Sequence, residues 1–163
     1  MKTKYFFLIT IAILIIIIFK QHEDIRSLQM NLGSNYQSTI RNAINVTGSV
    51  NQIQLAEYAS DQSLTNLYRL SNSLLSDSEA LNRIPNNDIT TVSETLRDLA
   101  IKIEKTAHNE SNISEIIKSI KTINKYLIYI DSKISDSPID WYKEFHKKES
   151  TILNEANELL IDK

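Results

Sequence analysis

Apolar residues recur at helical spacing along most of this chain. Ile113, Ile116, Ile120, Ile123, Leu127, Ile130 and Ile134 follow at alternating steps of three and four, the a/d seam of a heptad. Ile89, Val92, Leu96, Leu99 and Ile103 repeat the rule. Tyr142, Phe145, Ile152, Ala156 and Leu159 form a further stripe, interrupted by Glu149. Ile25, Leu28, Leu32, Tyr36, Ile40 and Ala43 make a looser one whose phase slips near Gly33, where a stutter or bend is expected. The segment from Ile53 to Ile84 is more polar, and Asp77 falls on its apolar line. Small residues there, Ala56, Ala59, Ser60 and Ser63, would admit a close neighbour.

Tyr5 to Phe19 breaks the amphipathic pattern by being apolar all round. At 1.5 Å per residue it makes roughly 22 Å of helix, short of the ~30 Å hydrocarbon core unless Lys4 and Lys20 extend to the headgroups. Tyr5, Phe6 and Phe19 sit where an aromatic belt would lie. A cleaved signal peptide is the rival, but Lys20, Gln21, His22, Glu23 and Asp24 offer no small residues for cleavage. The expectation is a signal-anchor over residues 1–20. The N-terminus would then be cytoplasmic and residues 21–163 an extracytoplasmic bundle, following the lysines ahead of the run. Nothing between Phe19 and Leu32 would stop the first helix running straight into the bundle.

Turn chemistry divides the rest. Pro85 in "IPNND" ends one helix, with Asn87 or Asp88 capping the next. Asn112, three residues before Glu115, reads as another cap. "DSPID" places Ser137 at the N-cap and Pro138 at the first helical position. Gly48-Ser49 reads as a C-cap and turn, or as a position the helix runs through. Short connections make neighbours antiparallel. The fold class is therefore all-α: a transmembrane helix followed by an up-down bundle of four to five helices.

Composition narrows the chemistry. Two glycines and two prolines in 163 residues suit long helices and cannot build a Gly-rich phosphate loop. The absence of cysteine excludes disulfides and thiolate metal sites. A net charge of −2, more acidic without Lys2 and Lys4, argues against nucleic acid as partner. The three histidines, His22, His108 and His146, form no metal-ligand pattern; Glu104 and His108 are half a site at most. Neither cofactor, metal, catalytic group nor small-molecule substrate is inferred, and the chain reads as a non-enzyme.

The aromatic residues are the interaction candidates. "PIDWYKEFH" holds the sole tryptophan. Tyr142 and Phe145 fall on the apolar stripe and Trp141 lies one position off it. That places Trp141 either as an interface anchor or as a lid on the bundle's end. Tyr126 and Tyr129 widen the apolar band beside Leu127 and Ile130, as a docking face would. Trp141, Tyr142, Phe145, Tyr126 and Tyr129 are thus the candidate partner-binding residues.

Three segments, "SNYQSTIRNAINVTGSV", "ASDQSLTNLYRLSNSLLSDSEALNRIP" and "TVSETLRDL", resemble in order and character the membrane-anchored helical part of YpeB-type spore-germination proteins. In that family the helical part precedes repeated small α+β domains, without counterpart here, and the protein stabilises a cortex-lytic enzyme. The resemblance implies a non-catalytic accessory scaffold related to spores or their germination, and no particular functional residues. Together these readings predict a single-pass membrane protein that binds another cell-envelope protein. The alternatives are a ligand-sensing ectodomain acting through a membrane partner and a secreted bundle released by cleavage.

Overall fold

The computed structural model describes residues 2–50, 61–106 and 113–161. The stretch Ile53–Ser60, the Glu104–His108 pair's histidine and the Asn112 cap lie outside them. The described residues form six helices and no strand: α1 (Lys2–Ser49), α2 (Asp61–Leu81), α3 (Asn87–Thr106), α4 (Ile113–Lys133), α5 (Pro138–Phe145) and α6 (Thr151–Ile161).

The second half of α1 with α2, α3 and α4 makes a closed four-helix bundle, because each packs on two neighbours: α1 on α2 and α4, α3 on α2 and α4. The pairing runs antiparallel. Ser71 bonds Ala100 while Ser78 bonds Ser93, so α3 descends as α2 rises. Asn124 reaches Ile44 and Thr47 while Asp131 reaches Arg41, with the same sense between α4 and α1. The short α5 lies on α1, and α6 lies on α4.

The heptad seams are the core. Ile89, Val92, Leu96, Leu99 and Ile103 from α3, and Ile116, Ile120, Ile123, Leu127 and Ile130 from α4, are all buried. Gly33, Tyr36, Ile40, Ala43, Thr47 and Val50 give α1 its own inward line at steps of three and four. α2 and α3 approach through serines. Ser78 Oγ donates to the Ser93 carbonyl and Ser93 Oγ to the Ser78 carbonyl, each at 2.8 Å. These hydroxyls satisfy each other's helix and leave no buried donor open. Ser71, Ser78 and Ser93 supply the close contact between α2 and α3; of the residues expected to admit a neighbour, Ala56, Ala59 and Ser60 lie outside the described residues.

The helix ends follow local chemistry with small shifts of position. Asn86, not Asn87 or Asp88, caps α3: its Oδ1 accepts from the Asp88 and Ile89 amides at 3.0 and 3.4 Å. Pro138 opens α5 as expected, with Ser137 at the N-cap but without a side-chain capping bond. Ser150 caps α6, its Oγ accepting from the Leu153 amide at 3.0 Å. The break between Phe145 and Thr151 resets the helical phase. Trp141, Phe145, Leu153 and Ala156 are therefore the buried residues there, while Tyr142 and Ile152 are only half-buried.

One expectation is overturned. Among the described residues, no helix is long and apolar enough to cross a membrane. The uncharged run of about 15 residues falls short of the bilayer core, and α1 carries on unbroken into Lys20, Glu23 and Asp24. The transmembrane helix, the signal-anchor and the single-pass membrane localisation, with a cytoplasmic N-terminus and an extracytoplasmic bundle, are replaced by one continuous 48-residue helix.

Candidate protein-binding surfaces

Gly33 sets the geometry of the α5 corner. A Cβ added there would meet the Pro138 carbonyl oxygen at 1.7 Å and the Tyr142 amide nitrogen at 3.0 Å. Only glycine lets the α5 backbone settle this closely on α1. Behind that contact an aromatic cluster closes the bundle's end. Tyr36 meets Phe145 edge-on at 5.7 Å, and Phe145 meets Trp141 at 5.9 Å. Trp141 is wholly buried, and its Nε1 donates to the Ser135 carbonyl at 2.8 Å. Its indole therefore lids the core, with its one polar atom satisfied.

The five candidate residues separate by burial. Trp141, Phe145 and Tyr126 are fully enclosed. The Tyr126 hydroxyl is buried and has no hydrogen-bond partner among the described residues, and burial pushes its ionisation well above the usual phenol range. Tyr142 and Tyr129 keep part of their surface in solvent. Tyr142 stacks on His146 at 4.1 Å. Tyr129 donates to the Glu155 carboxylate, which raises the phenol's ionisation and ties α4 to α6, and Lys133 lies 5.2 Å over its ring. Of the five, only Tyr142 and Tyr129 present surface to a partner.

Polar residues also bind the elements together. The Arg41 guanidinium donates to Asp131 at 2.8 Å and to Asp136 at 2.6 Å, joining α1 to the corner between α4 and α5. Glu144, buried in α5, accepts from Lys147 and from the Ser150 cap hydroxyl, so its charge is compensated. Asn124 donates to the Thr47 hydroxyl at 2.8 Å and the Ile44 carbonyl at 3.0 Å, fixing the register of α4 on α1.

A cleft of about 650 Å³ opens between α1 and α2, lined by Asn42, Val46, Tyr68, Arg69, Asn72 and Asp77 among others. Asp77 is buried. Asn42 Nδ2 donates to its Oδ1 at 2.5 Å, and its Oδ2 has no partner among the described residues. Burial outweighs that one donor and lifts the carboxyl above its ordinary range. The fold thus holds this proton more tightly than the unfolded chain does. Stability from this group is full at acidic pH and is lost as pH rises through the raised folded-state value. Urea denaturation should accordingly find Asp77→Asn more stable than the parent at about pH 7, with the gain gone at about pH 3. A parent that keeps the advantage at neutral pH would contradict this.

No family model matches this chain, and no curated protein or solved structure matches it. The surfaces must therefore be weighed on their own geometry. Among the described residues no group of three or more His, Asp or Glu side chains could hold a metal. His22 and His146 are exposed, and His108 lies outside the described residues.

Among the described residues, the longest run without a buried position is on α1 itself. From Ile11 to Leu32 no residue is buried. Ile16, Ile18 and Phe19 are 66%, 63% and 67% exposed, and Ile25 and Leu28 are 54% and 62% exposed. The helix enters the bundle only at Gly33. Periodicity put Ile25, Leu28 and Leu32 on one stripe with Tyr36, Ile40 and Ala43; that only the last three are buried follows from where α5 meets α1, which no local pattern encodes.

Proposed function

We propose that this protein acts by binding another protein, without catalysis of its own, as a helical bundle that presents one long helix to its partner. The exposed apolar arm of α1 carries this reading. Exposed apolar surface on this scale marks an interaction site, and a single helix is recognised by a groove or by another helix along its apolar side. The arm is held stiffly, because the Gly33–Pro138 contact and the buried Tyr36 fix α1 where it leaves the bundle. A partner seated on the arm is thereby kept at a set distance and angle from the bundle, the property of a scaffold. The resemblance of segments 34–50, 59–85 and 91–99 to the helical part of YpeB-type proteins is in keeping with a non-catalytic scaffold. A photo-crosslinking amino acid at Ile25 of the full chain, activated in cells, tests the proposal. A discrete protein adduct is expected; no protein adduct would refute it.

A further inference from the structure

The arm has a repeat of its own. Ile11, Leu14, Ile18, Gln21, Ile25, Leu28 and Leu32 lie at steps of three and four throughout. In heptad terms Ile11, Ile18, Ile25 and Leu32 occupy a, and Leu14, Gln21 and Leu28 occupy d. Every one of the six apolar members is exposed, from 38% at Ile11 to 63% at Ile18; up to Phe19 the off-seam Ile13, Ile15, Ile16 and Ile17 are apolar and exposed as well, so the seam is set apart from polar flanks only from Lys20 onward. The line does not continue into the bundle in phase. Leu28, Leu32, Tyr36 and Ile40 follow at steps of four, a stutter that hands over to the buried line from Gly33 to Val50. One helix thus carries two successive seams. The second is filled by its own chain, and the first is open.

We propose that the open seam is filled by the same segment of a second copy, as a parallel, in-register two-stranded coiled coil over residues 11–32. This rests on the protein-binding reading above and names the partner. Three features select it. β-Branched isoleucine at a with leucine at d favours two parallel strands. Gln21 interrupts the seam with an amide that an apolar groove would leave unpaired. Its counterpart at the same level in a second copy offers both the donor and the acceptor it needs. Beyond Phe19 the charged residues keep off the seam: Lys20, Glu23 and Arg26 fall at c, f and b. Asp24 at g faces Gln29 at e of the other strand, so the parallel register brings no like charges together. About three heptads are covered, roughly 33 Å of helix.

The chain contains no cysteine, so one engineered thiol reports one position. In the full-length protein, Ile25→Cys and Leu28→Cys place it on the seam, and Ser27→Cys and Glu23→Cys place it at c and f. Under mild oxidation the seam variants should form covalent dimers at least tenfold faster than the outer ones, because a and d residues face their own counterparts within disulfide reach. Equal rates at all four positions would mean unspecific association, and no dimer from the seam variants would mean no pairing. Either result overturns the proposal. If the seam variants stay monomeric while the Ile25 photo-adduct is a different protein, self-pairing fails and the binding function stands. If neither probe yields a protein adduct, both fail.

Discussion

Gly33→Ala should destabilise the protein by about 3 kcal/mol, and Gly48→Ala should stabilise it. Gly33 lies inside α1 and Gly48 in its last turn, neither with a positive φ, and alanine at such helical positions normally gains up to ~1 kcal/mol in propensity. What differs is the neighbour. At Gly48 an added methyl would rest against Asn124 Nδ2 at 3.5 Å, an ordinary contact. At Gly33 it would fall 1.7 Å from a backbone carbonyl, which cannot rotate aside as a side chain can. α5 would have to lift from α1, opening the packing of Phe145, and of the Trp141 behind it, on Tyr36. Overpacking that forces backbone shifts typically costs 1–3 kcal/mol, and the lost aromatic contact adds to it. Urea denaturation of the two variants beside the parent gives the signs directly. A Gly33→Ala protein as stable as the parent would show that α5 does not seat on α1 at this point.

Ile120→Asp should abolish folding, whereas Ile128→Asp on the same helix should change stability by less than about 0.5 kcal/mol. Ile120 is wholly buried at the middle of the α4 seam, and Ile128 is 47% exposed. Replacing the first removes a packed side chain, a loss of about 2–5 kcal/mol. It also places a carboxylate where no cation is described to meet it. A domain of this size has on the order of 5–15 kcal/mol in all. Far-ultraviolet circular dichroism and thermal melting separate the outcomes. Retained helicity and an unshifted midpoint for Ile120→Asp would contradict the assignment of the seam. The pair also controls for a general effect of added charge on α4.

The seams of α3 and α4 were legible because each is one uninterrupted helix, so its apolar period carries straight through. The α5–α6 stripe was misphased for the opposite reason. Read as a single period from Tyr142 to Leu159, it crosses the break after Phe145, and the true inward residues, Trp141 and Leu153, each lie one position away. Gly33 stood out as a phase slip. It proved to be a contact notch within a continuous helix, because a stutter and a bend leave the same trace in sequence. Asn124 with Thr47, and Asn42 with Asp77, could not be read at all: these pairs join residues 77 and 35 positions apart. The membrane span failed because the uncharged run within α1, unlike the 48-residue helix itself, is shorter than the bilayer core is thick. Among the candidate site residues, aromatic clustering identified a real cluster. It could not tell the enclosed Trp141, Phe145 and Tyr126 from the partly open Tyr142 and Tyr129, because that depends on the docking of α5 and α6.

The central claim is that partners engage the α1 arm and not the bundle wall. Photo-crosslinking scanned across both regions of the full chain, from Ile25 and Leu28 on the arm and from the exposed Ser38 on the bundle portion of α1, tests it most directly. Discrete protein adducts at Ile25 and Leu28, with little at Ser38, are the predicted result. Adducts concentrated at Ser38, with the arm positions silent, would contradict it.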